Sequence, residues 1–508
     1  MARPGSLLWF ARHELRLAWR DFLAMMTGGK TTRTVWLALG AAVFAVLAHW
    51  VAGLLLGPTL AQGLVPDRPT LMLVTGAGLL FFSVMLSQAV ESVTRAYYTR
   101  ADLDLILASP ASARKLLAVR AGAIAISTMA LSCLLAAPVI NVLAFQGGLH
   151  WLSAYLVLVA LGAFSAGLAM LVTLGLFATL GPKRTRLVAQ ILAAIIGAGF
   201  IIGIQAGAIL SYGNLSRLAL FQSETLLALA PDPDSPLFWP ARAAMGELGP
   251  LLAVALVGLG SLAVSIGIAG QSFARHATDA AGLTERSGTR TTDRAFRTAS
   301  PAQALRRKEW LLLRRDPWLL SQTLMQILYL LPPALLLWLN YGNAAGVFVV
   351  IVPVLVMASG QLAGGLAWLA ISGEDAHELI ATAPISQAMV LRAKIEAVAG
   401  AIALVLMPLL LLLALAAPMI AVVTAVFAAI ATASSTAIQL WFRAQARRNL
   451  FRRRQVSSRI ATLAEAFASI MWAGAAALVA AGSPLFFMPA VVALGVLATA
   501  RAMAPKRG

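Results

Sequence analysis

The chain has 508 residues, of which 60% are hydrophobic and only 12% charged, with a mean hydropathy of +0.85 and a formal net charge of +19. A soluble chain of this length carries roughly twice that share of charge, which excludes a string of soluble domains. The apolar residues recur in runs long enough to cross a bilayer, and the basic residues collect between them, so topology rather than nucleic-acid binding accounts for the charge.

Residues 7–26 read as an amphipathic helix. Leu8, Leu15 and Phe22, with Ala11 and Ala18, fall on one face, while Arg12, Arg16 and Arg20 line another, as in a helix lying along the inner leaflet. The stretch Ala24 to Thr31 ends like a phosphate loop, but Ala24 stands where the first glycine belongs and no strand precedes it, so it is a chance match. About 34 mostly polar and basic residues precede a first apolar run of full span length, which predicts no cleavable leader.

Hydropathy then predicts about twelve spans, at roughly 35–56, 70–90, 116–144, 151–180, 187–212, 250–273, 319–340, 346–370, 390–417, 419–442, 460–482 and 484–502. Of the 39 Lys and Arg, all but Arg68, Arg217 and Arg242 fall on one side of these spans. The positive-inside rule therefore places both termini in the cytoplasm of a plasma (inner) membrane protein. Within the spans, His49 beside Trp50 reads as a packed interfacial pair, whereas Glu91, Glu396 and Glu465 fall near span ends. Gln190, Gln205, Gln361 and Gln439 predict interhelical hydrogen bonds, and Gly53/Gly57, Gly203/Gly207 and Gly360/Gly364 predict close helix packing. The one cysteine, Cys133, lies inside the third span, which excludes an intrachain disulfide and a thiol metal site.

The outer loop 213–249 is proline-dense, which prevents one continuous helix and leaves room for a short one within 237–249. Residues 274–305, rich in Thr, Ser, Arg and Ala, read as a cytoplasmic linker between halves at 1–273 and 306–508. The dense run Arg443, Arg447, Arg448, Arg452, Arg453, Arg454 and Arg459 predicts contact with anionic lipid head groups, carried chiefly by Arg447, Arg448, Arg452, Arg453 and Arg454.

Two elements recur in the same order. Arg12, Glu14, Arg20 and Asp21 superpose on Arg307, Glu309, Arg315 and Asp316 at a constant offset of 295, each set preceding a first span. Asp104 to Ser112 matches Glu378 to Ser386 between the second and third spans of each half. The fold class is therefore read as an all-α integral membrane protein, a 6+6 parallel duplication with an amphipathic interface helix before each half. A third echo, Ser235-Pro236-Leu237-Phe238 against Ser483-Pro484-Leu485-Phe486, is short. Acidic residues cluster where basic ones are the rule: Asp102 and Asp104 before Pro110, and Glu374, Asp375 and Glu378 before Pro384. An acidic helix at each of two matched loops suits docking on a basic protein surface.

In these residues the chain resembles the membrane subunits of the type-two family of ABC transporters. The likeness rests on Lys308-Glu309 and Arg314-Arg315-Asp316-Pro317 before a first span, and on Glu378 to Ser386 after a second. It implies two six-helix units fused in one chain, with interface helices and coupling helices that contact a separate ATP-binding subunit in two copies. Phe22 departs from the pattern where the second half has Pro317, and the second half lacks room between 482 and 484 for an outer re-entrant segment. The expected function is the permease subunit of an ATP-driven exporter of a small-molecule or lipid-like substrate. ATP and Mg would sit on the partner, with no cofactor, metal site or catalytic residue in this chain. A gradient-driven carrier with the same span count and a membrane scaffold without transport are the alternatives.

Overall fold

The computed structural model describes residues 32–61, 64–98, 113–212, 230–282, 300–315, 345–372, 382–442 and 459–504, with further positions at 9–20, 227–228 and 324–335. Every regular element among them is helical: α1 (Thr32–Ala61), α2 (Arg68–Tyr98), α3 (Ala113–Gly147), α4 (Ser153–Tyr212), α5 (Trp239–Ala244), α6 (Leu248–Gly282), α7 (Pro301–Arg315), α8 (Ala345–Ser372), α9 (Gln387–Ala416), α10 (Pro418–Phe442), α11 (Arg459–Ala480) and α12 (Phe487–Met503). Among the described residues, ten segments are long and apolar enough to cross a membrane, and the chain is a multi-pass helical membrane protein. They coincide with ten of the twelve predicted spans. The span at 35–56 lies within α1, whose described apolar stretch is Ala42–Gly57. The span at 319–340 lies outside the described residues apart from 324, 328 and 335, which are helical.

Two predicted spans merge in α4, where a loop is expected at the Gly181-Pro182 breaker. Gly181 alone interrupts the helix, at φ 68° and ψ 168°, a conformation open essentially to glycine. Pro182 then restarts the helix where a missing N–H costs nothing, and the Thr185 hydroxyl donates to the Gly181 carbonyl at 2.9 Å.

The chain divides into two compact units, Met1–Ile201 with Arg217–Thr289 and Ile202–Ser216 with Arg290–Gly508. The division at 289/290 falls inside the predicted linker. The first unit is built around Leu86, Ala89 and Val90 of α2, Leu117 and Ala121 of α3, Ala169, Met170 and Ala189 of α4, and Ala269 of α6. α4 and α6 approach through glycine: a Cβ on Gly258 would lie 2.4 Å from the Ala160 carbonyl oxygen. Sequence spacing points to Gly53, Gly57 and Gly203 instead, yet a Cβ on any of the three would meet nothing among the described residues within 4 Å.

The predicted short helix within 237–249 forms as α5, with Phe238, Ala241 and Ala243 buried. It is introduced by a tight turn in which the Ser235 hydroxyl accepts from the Leu237 N–H at 3.4 Å. After α5 the backbone reverses at Gly246 (φ 100°), where a Cβ would sit 2.7 Å from that of His150. Arg242 binds both Glu247 oxygens at 2.8 Å and Asp234 at 2.8 Å, while Arg68 reaches Asp232 at 2.7 Å. The hydrogen bond to Glu247, more than any other contact, raises Arg242 above its usual range, so it stays charged.

In the second unit α8 is central and packs against α9, α10 and α11, with Trp368, Leu355 and Ile438 fully buried. Ser483-Pro484-Leu485-Phe486 repeats the turn seen before α5: the Ser483 hydroxyl accepts from the Leu485 N–H at 3.3 Å. Here the chain runs straight into α12, with no counterpart of α5 between.

Candidate functional site: a clamp between the interface helix and α9

α7 is the interface helix predicted before the second half. Its buried side comes from Leu305, Glu309 and Leu313, spaced four apart and therefore stacked on one face. Burying the two leucines stabilises the contact by about 1.5–3 kcal/mol each. Between them sits a carboxylate with no solvent exposure.

Glu309 Oε1 lies 3.1 Å from Lys394 Nζ and 3.0 Å from Lys308 Nζ, while its Oε2 has no hydrogen-bond partner among the described residues. Lys394 also donates to the Ala370 carbonyl near the end of α8. Through Lys394, Glu309 links α7, α9 and α8 at one point. A second ion cluster lies beside it: Arg306 Nη2 donates to Glu396 at 3.1 Å and Arg392 Nε at 2.8 Å. The hydrogen bond to Glu396 raises the Arg306 guanidinium above its usual range. Trp310 closes over Gly400, where a Cβ would come within 2.9 Å of its ring.

α9 starts directly after the second acidic loop. Ser386 caps it, its hydroxyl accepting from the Met389 N–H at 3.2 Å. Pro384 lies exposed just ahead. The clamp therefore holds the outgoing end of that loop through Lys394 and Glu396, and its incoming helix through Ala370.

The first unit repeats part of this arrangement. Arg120 on α3 is buried, and its Nη1 donates to the Ala96 carbonyl on α2 at 3.5 Å. Arg120 and Ala96 stand 274 residues before Lys394 and Ala370, the same offset that relates the two acidic loops. Helix limits follow it too: α2 ends at Tyr98 and α8 at Ser372, while α3 starts at Ala113 and α9 at Gln387. Neither Arg120 nor Lys394 stands out by composition; carrying the loop alignment eight residues further superposes them.

Of the predicted site residues, Glu309 and Pro384 are placed as above. Arg20 is helical and exposed, and Arg315 is the last residue of α7. Glu14, Asp21, Asp102, Asp104, Pro110, Asp316, Glu374, Asp375, Glu378 and the arginines 447, 448, 452, 453 and 454 lie outside the described residues. Glu309 faces α9 rather than the surface, so its carboxylate serves as an internal anchor.

Two polar networks occupy the membrane-spanning parts. On α11, Glu465 is buried and accepts from Gln439 Nε2 of α10 at 2.6 Å; Ser435 and Ser469 meet one turn away at 3.3 Å. Gly360 and Gly364 of α8 make the space, since Cβ atoms there would come 2.3 Å from Ser469 Oγ and 2.1 Å from Glu465 Oε2. This glycine pair and Gln439 are legible by spacing, and Glu465 lies near a span end as expected; its burial against α10 is not legible. In the first unit, His49 Nδ1 donates to the Ala45 carbonyl at 2.7 Å, while Asn141 donates to Nε2 at 3.0 Å. Tyr155 completes the chain, its hydroxyl donating to Asn141 Oδ1 at 2.8 Å. Trp50 is exposed, so His49 joins this network rather than the expected pair with Trp50.

No group of three or more potential metal ligands exists among the described residues. No protein-family model matches this sequence, and searches of curated proteins and of solved structures likewise return no match.

Proposed function

We propose that this chain is the permease subunit of an ATP-driven exporter, two parallel six-helix halves with cytoplasmic termini, worked by separate ATP-binding subunits. The observation that carries this reading is the repeated cation-to-carbonyl bridge, Arg120 to Ala96 and Lys394 to Ala370, at the register of the two acidic loops. It supports a duplication of one working unit. In that unit the loop docks the ATPase, and the helices on either side are tied at their ends. A push on the second loop would reach α9 at Ser386 and pass through Lys394 and Glu396 into α7. Loop, interface helix and spans would then move as one body, which suits alternating access driven from outside the membrane.

Charge reversal at Asp104 and Glu378 tests the docking step. The double variant is expected to lose the co-purifying ATP-binding subunit while keeping its own monodisperse elution. An ATPase retained by the double variant removes the docking assignment.

One observation favours a second reading, a gradient-driven carrier: a buried carboxylate at Glu465 within a span is the kind of group that relays protons. That reading predicts flux in ATP-free vesicles under an imposed pH gradient, abolished by Glu465→Gln. No flux under the gradient in the unaltered chain eliminates it.

A further inference from the structure

A polar chain that takes no part in the coupling described above joins three helices of the first unit: His49 of α1, Asn141 of α3 and Tyr155 of α4. Asn141 lies about two turns from the end of α3 and Tyr155 in the first turn of α4, at the end of the unit where Met245 packs after α5. Among the described residues α1 has one buried side chain, Ala52, and the Asn141 contact is its one side-chain hydrogen bond to another helix. How firmly α1 is held therefore depends on this contact.

A single backbone acceptor sets the direction of every bond in the chain. The Ala45 carbonyl can only accept, so His49 Nδ1, 2.7 Å away, carries a proton. A neutral ring then offers a lone pair at Nε2, which calls for the amide N–H of Asn141 at 3.0 Å. The Asn141 oxygen is thereby turned to Tyr155, whose hydroxyl must donate, at 2.8 Å. A second proton on the ring reverses this order. Nε2–H would face the Asn141 N–H, donor against donor, and the amide resolves the conflict by turning half a revolution about its terminal bond. Oδ1 then accepts from Nε2–H and Nδ2 donates to the Tyr155 oxygen. One proton is gained, at Nε2, and Tyr155 keeps its own.

The ionisable groups around His49 are few. α4 offers Tyr155 itself, α3 the Cys133 thiol packed beside Tyr155, and the turn before α4 His150, whose ring lies 5.8 Å from that of Trp151. Asp67 caps α2, Arg68 is paired with Asp232, and Arg242 with Asp234 and Glu247. Glu91, Arg95 and Arg120 lie toward the opposite ends of α2 and α3. Among the described residues no carboxylate pairs with the ring, so Asn141 answers its charge.

We propose that His49 is a proton-binding site whose occupancy sets how firmly α1 is held to α3. The neutral chain joins the two helices by an ordinary hydrogen bond, the protonated chain by a charge-assisted one, which is the stronger kind. Asn141 is the switching element, because an amide presents either a donor or an acceptor by rotation alone. This site does not depend on the transport reading above.

The full chain in lipid vesicles, with isotope-labelled histidine and tyrosine, tests this by solid-state NMR from about pH 8 to about pH 5, the range in which imidazoles titrate. His49→Gln and Tyr155→Phe assign the two signals. At the alkaline end His49 is expected to show a protonated Nδ1 and a bare Nε2, and at the acid end two protonated nitrogens. The Tyr155 Cζ signal should move with the same midpoint. In Asn141→Leu, which keeps the side chain's size, His49 should still titrate while the Tyr155 signal stays still. Protection of the α1 backbone against hydrogen exchange should rise about tenfold toward acid, the gap between a neutral and a charge-assisted bond, and should not rise in Asn141→Leu. A His49 ring that keeps one proton throughout, or carries it on Nε2 at the alkaline end, overturns the proposal. So does α1 protection that is equal at both ends, or a Tyr155 signal that stays still in the unaltered chain or moves equally in Asn141→Leu. The responses of the unaltered chain decide the question even if Asn141→Leu does not fold.

Discussion

Replacing Lys394 with methionine is expected to destabilise the chain by about 3 kcal/mol, because Glu309 is left fully buried with half of its positive partners removed. Losing one member of a buried pair typically costs about 3–5 kcal/mol, and the retained Lys308 places this case at the low end. The variant should melt well below the parent in a detergent thermal-stability assay. Glu309→Leu combined with Lys394→Met should recover most of the loss, since an apolar pair of similar volume fits between Leu305 and Leu313. A double variant no better than Lys394→Met would mean that the pair is not coupled. If α7 transmits motion, the recovered variant should be stable and bind its ATPase, yet show reduced substrate-stimulated hydrolysis.

Gly258→Ala is the second large effect expected. The new Cβ would lie 2.4 Å from the Ala160 carbonyl oxygen and 2.9 Å from the Ala160 carbonyl carbon and Cα. These are backbone atoms about two turns into α4 and cannot rotate away, so α4 and α6 must separate. Overpacking of this kind costs about 1–3 kcal/mol, and a rigid neighbour puts it at the upper end. Gly260, two residues along the same helix, has open space where a methyl would stand, with nothing within 4 Å. Gly260→Ala should therefore be neutral or stabilise by up to about 1 kcal/mol through helix propensity. Equal melting temperatures for the two variants would contradict the close approach of α4 and α6.

The contrast between Gly258 and Gly53 marks how far spacing alone can be read. Gly53/Gly57 has the small-residue pattern, yet a Cβ on either would meet nothing among the described residues within 4 Å; Gly258 lacks a matching partner in sequence, but a Cβ there would meet backbone. Glu309 shows the same limit. Its recurrence with Glu14 makes it conspicuous, but a helical pattern does not say which carboxylate turns inward. The partner that decides this, Lys394, is 85 residues away. His49 stands out in the sequence for its depth and invites pairing with its neighbour Trp50, whereas its partner Asn141, and Asn141's own partner Tyr155, come from two other helices.

What the sequence by itself determined is the membrane character of the chain and ten of its spans. Transfer of a segment into a bilayer is close to a sum over its own residues, so composition within a window suffices. The offset of 274 between the two matched acidic loops is likewise visible, because it is a spacing within the sequence. Only the tertiary structure decided which residues of those segments meet: the Glu309–Lys394 anchor, the Glu465–Gln439 contact and the His49–Asn141 contact. Helices in a bilayer are held by close packing and by hydrogen bonds between side chains distant in sequence, and that geometry is a property of pairs of helices rather than of either one.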